Sequence, residues 1–265
     1  MVTLLLKVGG GASINLDGIA SDLAELGKPA IVVHGANACR DELSARLGTP
    51  KPTVTSESGV ESVLTDVETL DVLTMAYAGL VNKRFVSLCQ RHGVDAIGLT
   101  GLDGALVRGR RNRGIRVVEN GRRRLLHDLS GKPVSVNVEL LRLLLDSGYT
   151  PLVTVPILDE DGHAINTEND DVVALLQRTL PSETVVQLIE APGLLEDPER
   201  PESLVRTLTL DELREREDRA SGRYRRKLMA LSRMLETGCR RIVVGDGRLP
   251  NPLRAALALE GTVIQ

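Results

Sequence analysis

Four short segments carry residue types that could handle a phosphate. Lys7-Val8-Gly9-Gly10-Gly11 follows an apolar run, so the backbone can turn sharply and aim N–H groups at an anion while Lys7 adds a positive charge. No Gly-Lys-Ser/Thr follows and the full GxGxxG is missing, which sets it apart from Walker and dinucleotide motifs. A second small-residue turn, His34-Gly35-Ala36-Asn37, ends the next apolar run and would place a second anion nest on the same sheet edge. In Asn166-Thr167-Glu168-Asn169-Asp170-Asp171, Asp170 could orient lysines and Asn166 could grip a substrate. Gly222-Arg223-Tyr224-Arg225-Arg226-Lys227 opens a helical stretch and could bring a second cation to the phosphates. Each segment also has a plain structural reading: a tight turn, a packed His34, an N-cap built by Asn169 or Asp170, a solvated basic turn.

Those segments need a scaffold. Apolar, β-branched runs at 3–8, 30–34, 96–100, 150–155, 185–189 and 241–244 alternate with helical patterns such as 66–92 and 138–148, the latter closed by Gly148. That alternation predicts an α/β fold with a mostly parallel central sheet covered by helices. Between 105 and 126, stretches of alternating character at 105–107 and 115–119, the turn Asn120-Gly121 and a further short strand predict a β-hairpin insertion. The prolines and charges of 197–203 mark an exposed loop, and 211–226 a solvated helix with its connection.

Composition removes several classes. With 265 residues, 42% of them hydrophobic, the chain can bury a core unaided, and its formal charge of −3 gives no global reason to expect nucleic acid. The absence of Trp and the single Phe remove the stacking platforms that single strands need. The apolar start is too short for a signal peptide or a membrane span, so cytoplasm is expected. Cys39, Cys89 and Cys239 lie far apart, without metal or disulfide spacing, and read as reduced thiols; no metal-ligand set is expected.

Taken in order, these segments resemble the amino acid kinase superfamily, in its acetylglutamate kinase branch, and within that the lysine-biosynthesis kinases acting on carrier-bound aminoadipate or glutamate. The resemblance spans nearly the whole chain. It rests on Lys7 to Gly10, Leu80-Val81-Asn82-Lys83-Arg84, Gly98-Leu99-Thr100-Gly101-Leu102-Asp103-Gly104, Val117 to Gly121, Gly222 to Lys227, Asp246-Gly247-Arg248, Asn251-Pro252 and Glu260 to Val263. It implies a three-layer αβα sandwich with residues 1–174 as a lobe for substrate and dimerisation and 175–265 as a lobe for nucleotide. The implied reaction is ATP-dependent phosphorylation of a side-chain carboxylate to an acyl phosphate, with Mg²⁺ accompanying the nucleotide. Lys7 and Lys227 fit the family's paired catalytic lysines, and Asp170 the carboxylate holding them. Gly9, Gly10, Gly35, Glu190 and Gly193 fit the phosphate and ATP site; Gly35, Ala36, Gly59, Glu61 and Asn166 fit the substrate site.

The partner implied is an acidic amino-group carrier protein. Arg108, Arg110, Arg111, Arg113, Arg116, Arg122, Arg123 and Arg124 crowd one segment of a net-negative chain, with only Glu119 against them, and would steer such a partner. The same arginines also read as a solvated hairpin. A homodimer is implied by the family, with no nucleic acid and no membrane as partners. Three departures bear on specificity. No arginine lies between Gly59 and Thr65, where relatives pair one with a substrate carboxylate, and Glu61 is acidic. The middle of 166–170 differs from the family pattern, as does Ile189-Glu190-Ala191-Pro192-Gly193 on the nucleotide side. Rival readings are a kinase for free N-acetylglutamate and a nucleotide-binding regulatory protein without catalysis.

Overall fold

A computed structural model describes residues 4–49, 53–55, 61–119, 122–197, 199–220 and 222–265, giving the backbone alone for a few of them, including Glu61, Arg122, Arg123, Arg223 and Arg226. Strands β1 (Leu4–Val8) and β2 (Ala30–His34) flank helix α1 (Leu16–Leu26), and α2 (Asn37–Leu47) follows. A small hairpin, β3 (Thr53–Thr55) and β4 (Glu61–Val63), precedes α3 (Val67–Thr74), a π-helical stretch (Met75–Val81) and α4 (Asn82–Arg91). Next come β5 (Ala96–Thr100), β6 (Val107–Arg111), β7 (Ile115–Glu119), β8 (Arg122–Leu126) and β9 (Gly131–Val136). Helix α5 (Val138–Asp146) leads to β10 (Thr150–Thr154), β11 (Ile157–Leu158), β12 (Ala164–Ile165) and α6 (Asn169–Thr179). The last third holds β13 (Thr184–Ile189), β14 (Thr207–Leu208), α7 (Leu210–Arg219), α8 (Gly222–Glu236), β15 (Arg241–Asp246), α9 (Pro252–Leu257) and β16 (Thr262–Ile264).

Eight strands form the central sheet in the order β14-β16-β15-β13-β1-β2-β10-β5, parallel from β15 to β5, with β16 antiparallel to β15. Both faces are buried, which is why its strands read as nearly continuous apolar runs. On one face Leu5, Val33, Val185 and Val244 meet Leu141 of α5, Val173 of α6 and Leu228 of α8. On the other, Leu4, Leu6, Val8 and Val186 meet Ile19 of α1, Phe85 of α4 and Leu253 of α9. The three-layer α/β sandwich expected from the sequence is the fold observed.

Asp66 starts the long helical run by accepting from Thr69 N at 2.8 Å, and Thr209 with Glu212 caps α7 reciprocally. One local expectation is corrected. The stretch 105–107 is no arm of the hairpin: a 3-10 turn covers Asp103–Ala105, and β6, which begins at Val107, pairs with β9 and β11 in a separate four-stranded sheet, β12-β11-β6-β9. Only β7 and β8 form the hairpin, whose turn at 120–121 lies outside the described residues. The arginine cluster is thereby divided, with Arg108, Arg110 and Arg111 on β6, Arg113 in the connection, and Arg116, Arg122, Arg123 and Arg124 on the hairpin. Among the described residues no helix is long and apolar enough to cross a membrane.

Candidate active site

Strand alternation decides where Lys7 points. It shares a face with Leu5, so it rises from the centre of the sheet toward α6 and α8 rather than into the opposite core. Asp170 stands in the first turn of α6, and its Oδ1 lies 3.4 Å from Lys7 Nζ. Lys227, in the second turn of α8, is close enough to both that their charges act on it. Burial pushes the Lys227 ammonium down to about 8, the Lys7 charge pushes the same way, and Asp170 pulls back. Two ammonium groups and one carboxylate are thus near enough to act on one another's charge, an arrangement suited to an anion. The capping role open to Asn169 and Asp170 is not the one seen, since Glu168 occupies the N-cap and its side chain does not cap the helix. The neighbouring Asp171 ties α6 to its surroundings through Lys132 of β9 at 2.6 Å and Arg233 of α8 at 3.6 Å.

Beside these side chains, the turns after β1 and β2 meet backbone to backbone. Gly9 N donates to Leu188 O at 2.8 Å, Gly35 N to Val8 O at 2.9 Å and Ala38 N to Gly10 O at 2.8 Å. A Cβ on Gly10 would lie 2.5 Å from both Ala36 N and Asn37 N, and one on Gly35 would lie 2.9 Å from Gly10 N. Glycine is thus required for the approach itself. The two small-residue turns singled out in the sequence meet as one cradle at the carboxyl edge of the sheet.

His34 takes the structural reading. Fully buried, it meets Asn82 Nδ2 through Nε2 at 2.9 Å and Gly35 O through Nδ1 at 3.2 Å, which assigns the ring proton to Nδ1. Burial pushes it down to about 4, so the ring is neutral and already committed at physiological pH. Asn82 also donates to Leu152 O at 3.0 Å, joining β2 to β10 below the cradle. Removing it as Asn82→Ala is expected to lower the unfolding free energy by about 2 kcal/mol, read from the urea midpoint; an unchanged midpoint would show that this link carries no stability.

Tyr77, on the π-helical stretch, donates from its hydroxyl to Asn37 Oδ1 at 2.5 Å. Asn166 lies between β12 and α6; its backbone N donates to Leu129 O at 2.8 Å and its Nδ2 reaches Thr65 Oγ1 at 3.4 Å. Thr65 N in turn donates to the buried Asp128 at 3.0 Å. Gly59 lies outside the described residues, and Glu61 is described only in its backbone, on β4. Glu190, just past β13, accepts from Ser13 N at 2.8 Å and Ser13 Oγ at 2.6 Å, and these bonds hold its carboxyl below the usual range. Gly193 sits where a Cβ would meet Leu204 and Thr262, and Leu194 N donates to Thr262 Oγ1 at 2.8 Å.

The structure thus gathers Lys7, Asp170 and Lys227 in one place and Gly10, Gly35 and Ala36 in an adjoining one. Reading by sequence missed Tyr77, Ser13, Thr65 and Asp128. Asn82 had a signal in the segment from Leu80 to Arg84, but the Ser13–Glu190 pair, 177 residues apart, had none.

The profile of the Amino acid kinase family matches residues 3–246. The chain belongs to the amino acid kinase family. This amino acid kinase is 41% identical over 268 residues to the LysW-aminoadipate kinase of Thermus thermophilus, covering 99% of the chain and all of the relative. It is 38% identical to the LysW-aminoadipate kinase of Deinococcus radiodurans over 98% of the chain and 91% of that protein. The acetylglutamate kinase of Methanopyrus kandleri is 33% identical over 98% of the chain and 99% of its own length. Among solved structures, Giardia carbamate kinase matches the fold with a TM-score of 0.67 at 14% identity, over 99% of this chain and 98% of that one. The isopentenyl phosphate kinase of T. acidophilum does so with a TM-score of 0.64 at 16% identity over the whole of both chains. The protein is accordingly a phosphotransferase of this family that uses ATP.

Proposed function

We propose that this kinase transfers the γ-phosphoryl group of ATP to the side-chain carboxylate of 2-aminoadipate, glutamate or an analogue carried on an acidic amino-group carrier protein. The observation that supports phosphoryl transfer is the ion pair of Lys7 with Asp170 and the buried Lys227 near enough to feel both charges. Both reactants are anions, so charge cancellation and positioning supply most of the rate. An acceptor carboxylate oxygen bonds to the γ-phosphorus while the bond to the β,γ-bridging oxygen breaks. ADP leaves with that electron pair, and the acceptor becomes an acyl phosphate. No proton need move, and none is asked of His34, which lies against Phe85 on the other face of the sheet, neutral and fully bonded.

Lys7 and Lys227 would hold the transferring group from two sides, with Asp170 keeping them in register. The amides of Ala36 and Asn37 beside Gly10 would receive phosphoryl or acceptor oxygens, and Asn166 the body of the acceptor. Glu190, Gly9 and Gly193 would lie on the nucleotide side, residues 175–265 forming that lobe and 1–174 the acceptor and dimer lobe. Mg²⁺ would come with the nucleotide and offset its charge. A cytoplasmic homodimer completes the reading.

The carrier rests on the full-length likeness to LysW-aminoadipate kinases and on the arginines of β6 and the hairpin. Arg108 and Arg110 are exposed neighbours on one face of β6, able to meet acidic side chains at little desolvation cost. The likeness to an acetylglutamate kinase supports the rival, a free amino acid as acceptor. Incubation with ATP, Mg²⁺ and hydroxylamine separates them. Carrier-linked aminoadipate or glutamate should give trapped hydroxamate far faster than N-acetylglutamate. Joint reversal of Arg108 and Arg110 to glutamate should raise the KM for the carrier at least about tenfold and weaken its salt dependence. Preferential reaction of N-acetylglutamate, unaffected by the reversals, would remove the carrier from the proposal.

A further inference from the structure

Gln187 is the one polar residue in the middle of β13, in the run Thr184-Val185-Val186-Gln187-Leu188-Ile189. It is 0% exposed, and both its carboxamide nitrogen and its carboxamide oxygen lack a hydrogen-bond partner. A buried amide left unpaired on both atoms is costly, and an apolar residue of similar volume would remove that cost. Its position therefore calls for a functional account.

Register places it. Gln187 stands directly beside Lys7 on β1 and beside Val244 on β15, and it shares its face with Val185. That face is covered by α6 and α8, the helices that carry Asp170 and Lys227. Strand β13 runs between β1 and β15, so the carboxamide rises beneath the group formed by Lys7, Asp170 and Lys227. Two further buried oxygens without a hydrogen-bond partner, Thr167 Oγ1 and Asn169 Oδ1, belong to the segment entering α6. The chain has thus left several polar atoms unsatisfied in the neighbourhood of its two cations.

We propose, resting on the reading of Lys7 and Lys227 as the phosphoryl site, that Gln187 is a positioning residue whose carboxamide oxygen accepts from the lysine ammonium groups as they close on the transferring phosphoryl. The chemistry favours an amide here. Each ammonium has three N–H groups to place, and the acceptor seen beside Lys7, Asp170, takes up one direction and leaves others to be filled. A second carboxylate beneath would accept equally well but would cancel the positive charge that draws the phosphates. A neutral acceptor fixes the direction of the ammonium groups and leaves that charge intact.

Calorimetric titration with MgADP alone and with MgADP plus aluminium fluoride, which imitates a phosphoryl group in flight, tests this without knowledge of the acceptor. Gln187→Leu is expected to weaken binding of the aluminium fluoride complex at least tenfold while MgADP alone binds as in the wild type, and to leave Tm unchanged or raised. Gln187→Met, of similar volume and more adaptable, should behave alike and serves if the leucine variant does not fold. Wild-type affinity for the aluminium fluoride complex in either variant would overturn the proposal. So would failure of both variants to fold, because the amide would then be structural. Lys7→Met is the control: if it too binds the aluminium fluoride complex normally, the reading of the lysine pair fails first, whereas its loss beside a normal Gln187→Leu removes only the role of Gln187.

Discussion

Lys227→Met is expected to abolish useful phosphoryl transfer and, in the same protein, to raise stability at neutral pH. On the proposed reading, in which Lys227 is one of two cations facing the transferring group, its removal costs about a hundred- to thousand-fold in kcat. The gain in stability follows from what burial does to that cation. Its native pKa, about 8, lies below the ordinary lysine value of 10.5, so between those limits the unfolded chain binds more protons than the folded one. Wild-type stability therefore rises with pH across that window. Below it the folded state carries the full penalty of a charged, crowded lysine, on the order of 3 kcal/mol. Methionine lifts that penalty, so the urea midpoint of the variant should exceed that of the wild type at pH 7, with the gap narrowing as pH climbs from 8 toward 10. Equal midpoints at pH 7 would mean that Lys227 is not held against Lys7 in a low-dielectric site. In the active wild type, kcat/KM should fall above about pH 8, since it reports the free enzyme, while kcat holds to higher pH because bound phosphates favour the ammonium form.

The second large effect concerns backbone. In Gly10→Ala the new methyl would fall 2.5 Å from Ala36 N and Asn37 N and 2.8 Å from Gly35 C. All three are main-chain atoms, so no side chain can swing aside and the two turns must part. Displacing aligned groups by about 1 Å costs roughly a hundredfold in rate, and forcing atoms into a filled space costs about 1–3 kcal/mol in stability. Both losses should appear together: kcat down by about two orders of magnitude, and faster hydrogen exchange at Gly35 and Ala38, whose amides bond to Val8 and Gly10. A variant with kcat within twofold of the wild type would show that the cradle need not be closed for transfer.

Much of this was legible in the sequence, for identifiable reasons. The central strands are buried on both faces and so announce themselves as apolar runs, and Lys7, Asp170 and Lys227 each sit at a strand or helix position whose neighbours mark it. Strand β6 hid because its exposed face is Arg108 and Arg110, and because its partner β9 lies beyond the whole hairpin. The π-helical stretch has the same apolar composition as the helices on either side, so composition could not reveal it. The bond between Glu190 and Ser13 depends on β1 and β13 being neighbours, a fact of topology with no local trace. Gln187 was visible as a lone polar residue in an apolar strand, but its meaning required knowing that its register neighbour is Lys7.

The π-helical stretch decides which side chains can reach the second turn of the cradle. Tyr77 meets Asn37 and Asn82 meets His34, five residues apart in sequence yet working on the same loop. In an α-helix, at about 100° per residue, they would diverge by about 140°; a turn that closes on the fifth residue brings them back into line. The contour of this wall is therefore encoded in how many residues the chain spends there, independently of which residues they are. Point changes can retune the lining, whereas a single deletion between the two would rotate one anchor out of reach and oblige the loop to find another.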